Sequence, residues 1–301
     1  MDLAVSNWIA RLFCKRNLFM VALALAPIGT TSAAMAAQGA VGINDQPAEL
    51  RAVSKVSDLK FTLLAKLPSA PPSGRETSGC ENFVISPTSS AGKLVADQGW
   101  SVTGEAPLGD DEAVSFAAVF EQGTSGTCAI QQGNVAIFHD ETLLAIAYAP
   151  HPTDETIGSI ASLEGGNVRV WSGDLLSTPV ADLELLDGGY LLQLGDVAAE
   201  ETLCGGKAVV PNIYGTGIDK ARAKLAASGW QPVLNITETG GDQYGREIDL
   251  AKHGITEVNT CSGTGLGYCD FNYVGKAGKL NVSTVGEDDF PVVAGYAVDC
   301  N

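Results

Sequence analysis

Short apolar runs rich in β-branched and aromatic residues follow one another from Leu59 to Ala198, separated by Gly, Asp, Asn, Ser and Pro. Evenly spaced short strands with such punctuation are typical of an all-β sandwich or barrel. The pattern predicts strands at, among other places, Lys93 to Val95, Ala113 to Glu121 and Leu143 to Tyr148. We therefore expect residues 58–203 to form a β-rich N-terminal domain.

Two glycine-containing turns stand out within this region. Gln132-Gly133-Asn134 and Asp187-Gly188-Gly189 each separate two apolar runs. Glycine adopts the positive φ that closes a tight β-hairpin without steric cost. The sequence predicts a hairpin at both places.

The hydrophobic period changes from two toward 3.6 after Cys204. Thr216 can cap a helix that buries apolar residues at helical spacing, and a second helix is predicted from Arg246 to His253. Four strands are predicted after or beside these helices: Ile255 to Cys261, Cys269 to Val274, Leu280 to Val285 and Pro291 to Val298. We expect residues 204–301 to form a small α+β domain with helices on an antiparallel sheet.

The first 36 residues have the order of a secretory signal peptide. Arg11, Lys15 and Arg16 precede an apolar run from Leu18 to Ile28, and small residues follow up to Ala36. An amphipathic helix or a permanent anchor is the alternative reading, and the choice between the general and the twin-arginine export route stays open. The sequence predicts cleavage after Ala36, a flexible segment at 37–57, and a periplasmic or secreted protein with no membrane span after processing.

Six cysteines remain after the leader, because Cys14 lies within it. An even number in an exported chain indicates disulfides, although six cysteines allow 15 pairings. Chain order favours three of these pairings: Cys80 with Cys128, Cys261 with Cys269, and Cys204 with Cys300. No zinc-type CxxC spacing is present, and we expect no metal and no cofactor.

The charge of the chain is strongly negative, with a formal value of −17 at pH 7. Removing the leader, which carries three basic residues and one acidic residue, changes this value to −19. The stretch between Lys93 and Arg169 contains no Lys or Arg at all. Such a field disfavours nucleic acid and favours a cationic partner or a divalent ion, and it also keeps a protein soluble.

Two segments carry resemblances to known proteins. Val210-Pro211-Asn212-Ile213-Tyr214-Gly215, with its continuation to residue 231, resembles the first half of a PASTA domain. That resemblance implies a small α/β module and a peptidoglycan-related or β-lactam ligand, although PASTA domains lack these cysteines and the second predicted helix.

Residues 261–269 resemble a CSGTGxGxC motif of uncharacterised exported bacterial proteins. We interpret this motif as a disulfide-clamped turn, since it leads into a predicted strand and not into a helix N-terminus.

Candidates for catalysis are few. No GxSxG or HExxH motif is present, and the strongest set is His139 with Asp140 and Glu141, at the end of a predicted strand. This set would suit a hydrolase. The acidic groups around Asp111 and Asp288 lack the spacing of an EF-hand, so solvated loop carboxylates are the simpler interpretation.

Two sets of residues are candidates for binding. Trp171 lies two residues from Arg169, the first arginine in a long acidic region. The two are a candidate surface recognition pair, although an aromatic residue in a strand more often belongs to the core. A second set, the densest basic cluster after the leader, lies on the first predicted helix: Lys220, Arg222 and Lys224. The sequence thus favours a non-enzymatic binding module of the cell envelope that engages a cationic protein or a wall component. A hydrolase and a purely structural envelope protein are the alternatives.

Overall fold

The computed structural model describes residues 49–151, 153–236, 245–263 and 265–301. The predicted signal peptide and most of the segment expected to be flexible lie outside these residues.

The described part is strand-rich, with 19 strands and three α-helices. The helices are α1 (Ser90–Asp97), α2 (Ile218–Ala227) and α3 (Arg246–Lys252). The strands of the first half are β1 (Arg51–Ser54), β2 (Lys60–Leu63), β3 (Ser101–Leu108), β4 (Asp111–Ala117), β5 (Val119–Gln122), β6 (Cys128–Gln131), β7 (Asn134–His139), β8 (Thr142–Tyr148), β9 (Ser159–Ser162), β10 (Val168–Trp171), β11 (Pro179–Leu186) and β12 (Leu191–Gly195). The strands of the second half are β13 (Glu200–Leu203), β14 (Ala208–Pro211), β15 (Gln231–Pro232), β16 (Val258–Cys261), β17 (Cys269–Gly275), β18 (Gly278–Val285) and β19 (Val292–Cys300).

Two five-stranded sheets share one hydrophobic core in the first half. The first sheet has the order β2-β8-β7-β4-β3 and the second β1-β12-β11-β10-β9. Every second residue of each strand points into the space between them, as Val135 and Ile137 do from β7 and Val168 and Val170 from β10. None of the sheets in the described part closes into a barrel. The strand β1 belongs to the segment expected to be flexible, yet it pairs in parallel with β12.

The outer face of the first sheet is covered by α1, where the sequence pattern predicted a strand at Lys93 to Val95. That prediction is wrong, because the side chain of Ser89 accepts a hydrogen bond from the Gly92 amide at 2.9 Å and caps a helix. Ala91 and Val95, one helical turn apart, bury against Phe116 and its neighbours. The first sheet is therefore buried on both faces.

The two predicted hairpins have different outcomes. Asp187-Gly188-Gly189 joins β11 to its neighbour β12, with positive φ at all three residues. Gln132-Gly133 joins β6 to β7, but these strands do not pair, so the hairpin predicted there is wrong. Glycine is needed at 133 for another reason, since a Cβ atom would lie 1.8 Å from the carbonyl oxygen of Ile157.

The second half places two helices on one face of a sheet, as the sequence predicted. The sheet has the order β15-β17-β18-β19, and β16 pairs with the start of β17 on the same side as β15, opposite to β18. Ile218, Ala221 and Leu225 of α2 and Leu250 of α3 bury against the inner face of the sheet. The ribbon of β13 and β14 connects this part to the first half.

Three disulfides join Cys80 to Cys128, Cys204 to Cys300 and Cys261 to Cys269. These are the pairings that chain order favoured, and they fit an oxidising compartment outside the cytosol.

The described residues from 49 onward group into one compact unit, so the division predicted between residues 203 and 204 is not confirmed. No helix in the described part is long and apolar enough to cross a membrane.

Candidate functional site

A cleft of about 340 Å³ lies beside β10, β13 and β19. Three aromatic rings and charged side chains line it together with backbone of the neighbouring strands. Its principal side chains are Glu164, Arg169, Trp171, Glu201, Tyr214 and Tyr296. A larger, open groove of about 680 Å³ crosses the outer face of the C-terminal sheet, and two of its polar side chains, Asn281 and Asn272, are hydrogen-bonded to each other at 3.2 Å.

The alternation of β10 explains why its polar residues face the cleft. Val168 and Val170 point into the core of the first half, so Arg169 and Trp171 lie together on the opposite face. Asp182 of β11 stands directly across from Arg169 in the antiparallel register. A buried arginine and its carboxylate are thus placed by strand pairing alone.

Arg169 holds the floor of the cleft through three charged hydrogen bonds. Its Nε and Nη2 donate to the two oxygens of Asp182 at 2.9 and 3.1 Å, and its Nη1 donates to Oε2 of Glu201 at 2.7 Å. The side chain is only 2% exposed. Burial by itself would lower the pKa of Arg169, but the hydrogen bond and charge of Asp182 and the charge of Glu201 raise it above its ordinary value. The guanidinium therefore remains charged.

Glu201 connects this floor to the C-terminal sheet. Its Oε2 accepts a second hydrogen bond from the phenol of Tyr296 at 2.9 Å. Burial is the main reason that the pKa of Tyr296 lies above its ordinary value, with the charge of Glu201 acting in the same direction. Tyr296 is consequently a neutral donor at any physiological pH.

The three aromatic rings form a continuous row along the cleft. Trp171 and Tyr214 meet edge to face with centroids 5.2 Å apart, and Tyr214 and Tyr296 lie 4.8 Å apart with their planes tilted by 33°. Burial, followed by the charge of Glu201, raises the pKa of Tyr214 to about 12. The row thus presents neutral π surfaces next to a carboxylate.

The charges around the cleft do not balance. Asp182 and Glu201 face one guanidinium, and Glu164 adds a further, exposed carboxylate at the rim. The Oε2 atom of Glu164 accepts hydrogen bonds from the amides of Gly205 and Gly206 at 2.9 and 3.4 Å. Aromatic faces beside uncompensated carboxylates suit a cation, which gains from both the ring quadrupoles and the negative charge.

The structure brings the predicted pair of Arg169 and Trp171 into this cleft. The expectation that Arg169 is a surface residue is wrong, since it is buried and held by Asp182 and Glu201. Tyr214 was named only as part of the PASTA-like segment, and sequence reasoning missed Glu164, Glu201 and Tyr296 altogether. Their positions depend on pairing between distant strands, and no local pattern marks them.

The predicted basic cluster of α2 divides into separate contacts. Arg222 pairs through Nε with Glu257 at 2.9 Å and donates from Nη1 to the carbonyl oxygen of Gly254 at 2.6 Å. Lys224 donates to the carbonyl oxygen of Asn212 at 3.1 Å, while Lys220 is exposed. Two of the three cations are therefore engaged in holding the second half together.

His139 lies in the turn region at the end of β7, where 58% of its side chain is exposed. Its Nδ1 lies 2.8 Å from Oδ1 of Asp111, a partner that the sequence did not indicate. This hydrogen bond, then the charges of Asp111 and Asp140, raise the pKa of His139 above its ordinary value. Glu141 lines a different hollow beside Leu143. Glu141 is not among the groups that shift the pKa of His139, and a hydrolase built on these residues stays a hypothesis.

Among the residues that the structure describes, no group of three or more His, Cys, Asp or Glu side chains could hold a metal ion. Comparison with protein-family models, with curated proteins and with solved structures finds no significant match to this chain. The cleft is therefore interpreted from its own geometry.

Proposed function

We propose that this protein is an exported, non-enzymatic binding module that engages a cationic partner at the cleft formed by Trp171, Tyr214, Tyr296 and Glu201. The observation that carries the proposal is the row of three neutral aromatic rings beside carboxylates that only one guanidinium offsets. A positive group over such rings is attracted to their faces, and more strongly where water is partly excluded.

The charge of the whole chain supports the same partner. The residues from 206 onward carry eight basic and eleven acidic side chains. Nearly all of the negative charge that remains after removal of the leader therefore lies in residues 37–205. A negative field of this size attracts cations to the surface and raises their local concentration at a cleft of the same sign. The partner class that fits is a cationic protein or a wall component with a free amino group.

The disulfides support an encounter outside the cytosol. Cys204–Cys300 borders the cleft and ties the end of β13 to the end of β19. Such bonds persist in oxidising compartments and are rare in reducing ones. The cleft would then hold its shape in the envelope or beyond it.

Calorimetric titration of the leader-free chain with N-acetyl-lysine methyl ester tests the proposal, with N-acetyl-norleucine methyl ester as the uncharged control. We expect binding of the lysine ester alone, weakened by salt. Glu201→Gln should weaken it by about 10-fold to 150-fold, because a hydrogen bond to a charged group contributes about 1.5 to 3 kcal/mol.

Glu121→Gln is the matched control, since Glu121 is exposed on β5 and does not line the cleft. This variant should bind the lysine ester like the wild type. Equal binding of the two esters, or equal loss in both variants, would refute a specific cation site at the cleft.

A further inference from the structure

The strand β19 lies at an edge of the C-terminal sheet, where it pairs with β18 along one side and carries a short bridge between Val292 and Gly217 on the other. Just past the end of β19, the Asn301 amide donates to the carbonyl oxygen of Ala277, which directly precedes β18. The backbone groups of Asn301 therefore point toward β18. Backbone groups of successive strand residues point alternately to the two sides. Asp299 and Ala297 therefore face β18, and Val298 and Tyr296 direct their amide and carbonyl groups away from it.

The start of this outer edge is already covered. The Val293 amide donates to the carbonyl oxygen of Thr216 at 2.9 Å, and the Gly215 amide donates to the carbonyl oxygen of Val293 at 3.0 Å. A bulge follows, where the register with β18 shifts. Beyond it, the outward amide and carbonyl groups of Tyr296 and Val298 have no hydrogen-bond partner within the described part of the chain.

This uncovered stretch of edge borders the candidate cleft. Tyr296, Ala297 and Val298 line one side of it, and Leu163 and Glu201 lie among the residues of the remaining wall. Long uncovered strand edges are usually protected because they pair readily with other chains. Here the unpaired main-chain groups lie beside the aromatic row and the carboxylates.

We propose that an extended peptide segment of the partner adds to the outer edge of β19, with its backbone paired to Tyr296 and Val298 and a lysine or arginine side chain on the aromatic row beside Glu201. This inference rests on the proposed function, because it uses the same cleft. Strand addition of this kind draws its affinity from main-chain hydrogen bonds and its specificity from side-chain pockets. The two outward residues are about 7 Å apart along the strand, so three residues of peptide cover them.

The substitution Val298→Pro tests the main-chain contact directly. Proline removes the outward amide and leaves the ladder with β18 intact, and proline is tolerated on edge strands in this orientation. Val298→Thr is the matched control, because it keeps both the amide and a β-branched side chain. The probe is a random ten-residue peptide library selected at low salt on the wild-type, leader-free chain.

We expect the selected peptides to be rich in Lys or Arg and to bind Val298→Pro about fivefold to tenfold more weakly than wild type, the value of about one hydrogen bond. Val298→Thr should bind them like wild type. N-methylation of the selected peptides at alternate amides should weaken their binding to the wild-type chain by the same fivefold to tenfold. This second measurement keeps the test valid if Val298→Pro fails to fold.

Selected peptides that bind Val298→Pro and tolerate N-methylation would overturn strand addition. So would a library that yields no binder. If the lysine ester still binds in a Glu201-dependent manner under either outcome, the cation site stands and only the strand pairing is wrong. If neither the peptides nor the lysine ester binds in the expected way, the proposed function is refuted as well.

Discussion

Arg169 of β10 and Tyr296 of β19 donate to the same oxygen of Glu201, at 2.7 and 2.9 Å. The guanidinium belongs to the sandwich of the first half and the phenol to the sheet of the second half. One carboxylate therefore links the sheets of the two halves, which lie within one compact unit. The same link forms the floor of the cleft.

Replacing Arg169 with methionine should destabilise the chain by about 3 to 5 kcal/mol, because it leaves the buried carboxylate of Asp182 without its partner. Urea unfolding followed by circular dichroism measures the loss. The matched control is Arg51→Met, whose ion pair with Asp187 is exposed by 63% and 62%. That variant should change the free energy of unfolding by at most about 1 kcal/mol. Equal effects would show that the Arg169 network does not stabilise the fold.

Removing the disulfide between Cys204 and Cys300 by a double change to alanine should cost about 4.7 kcal/mol on the chain-entropy estimate for its long loop. Removing Cys261–Cys269, whose residues are 8 apart, should cost only about 2.5 kcal/mol on the same estimate. Thermal and urea unfolding of the two variants give the comparison. The first variant should also bind the lysine ester more weakly, since this disulfide borders the cleft. An inverted order of stability would contradict the role assigned to the long cross-link.

The free energy of unfolding should decrease as the pH rises from about 10 toward 12. Tyr214 has an ordinary pKa of 10.0 and a folded pKa raised to about 12, so its neutral form is favoured by the fold. A raised pKa gives stability that is complete below pH 10 and lost as the pH passes through the folded value. Tyr214→Phe should reduce this dependence without removing it, because burial also raises the pKa values of Tyr273 and Tyr296. A slope unchanged by Tyr214→Phe would exclude Tyr214 as its source.

The imidazole of His139 should titrate above its ordinary pKa of 6.5 in a nuclear magnetic resonance experiment, because Asp111 stabilises the cation. Asp111→Asn should return the midpoint toward 6.5, and Glu141→Gln should leave it unchanged. The ion pair stabilises the fold below pH 6.5 and loses its effect as the pH rises through the raised value. His139→Ala should leave binding of the lysine ester unaltered. A hydrolytic activity that disappears in this variant would instead favour the enzyme.

Local patterns predicted much of the fold, and the two wrong predictions have different causes, one local and one tertiary. In α1, the cap of Ser89, the spacing of Ala91 and Val95, and the positive φ of Gly99 just beyond the end are ordinary helix signals. The short apolar group at Lys93 to Val95 was compatible with either structure, as short runs often are. At Gly133 the cause is tertiary, since the close carbonyl belongs to Ile157.

The cleft was less predictable for a physical reason. Strand alternation on β10 places Arg169 and Trp171 on one face, and that much can be derived from four consecutive residues. Burial of Arg169 depends on Asp182 and Glu201, whose approach is set by the register of β11 and by the route of the chain into β13. Long-range pairing of this kind leaves no periodic signal in the sequence.

The central claim, that a cation occupies the cleft, is tested most directly by mapping the lysine ester onto the ¹⁵N-labelled leader-free chain with amide chemical shifts. We expect saturable shifts confined to residues near 161–164, 201–204 and 296–300 and to the indole of Trp171, with a midpoint that Glu201→Gln moves to at least about tenfold higher ester concentration. Saturable shifts elsewhere, for example in the acidic turn of Asp110 and Asp111, or a midpoint that is unchanged in Glu201→Gln, would contradict the claim.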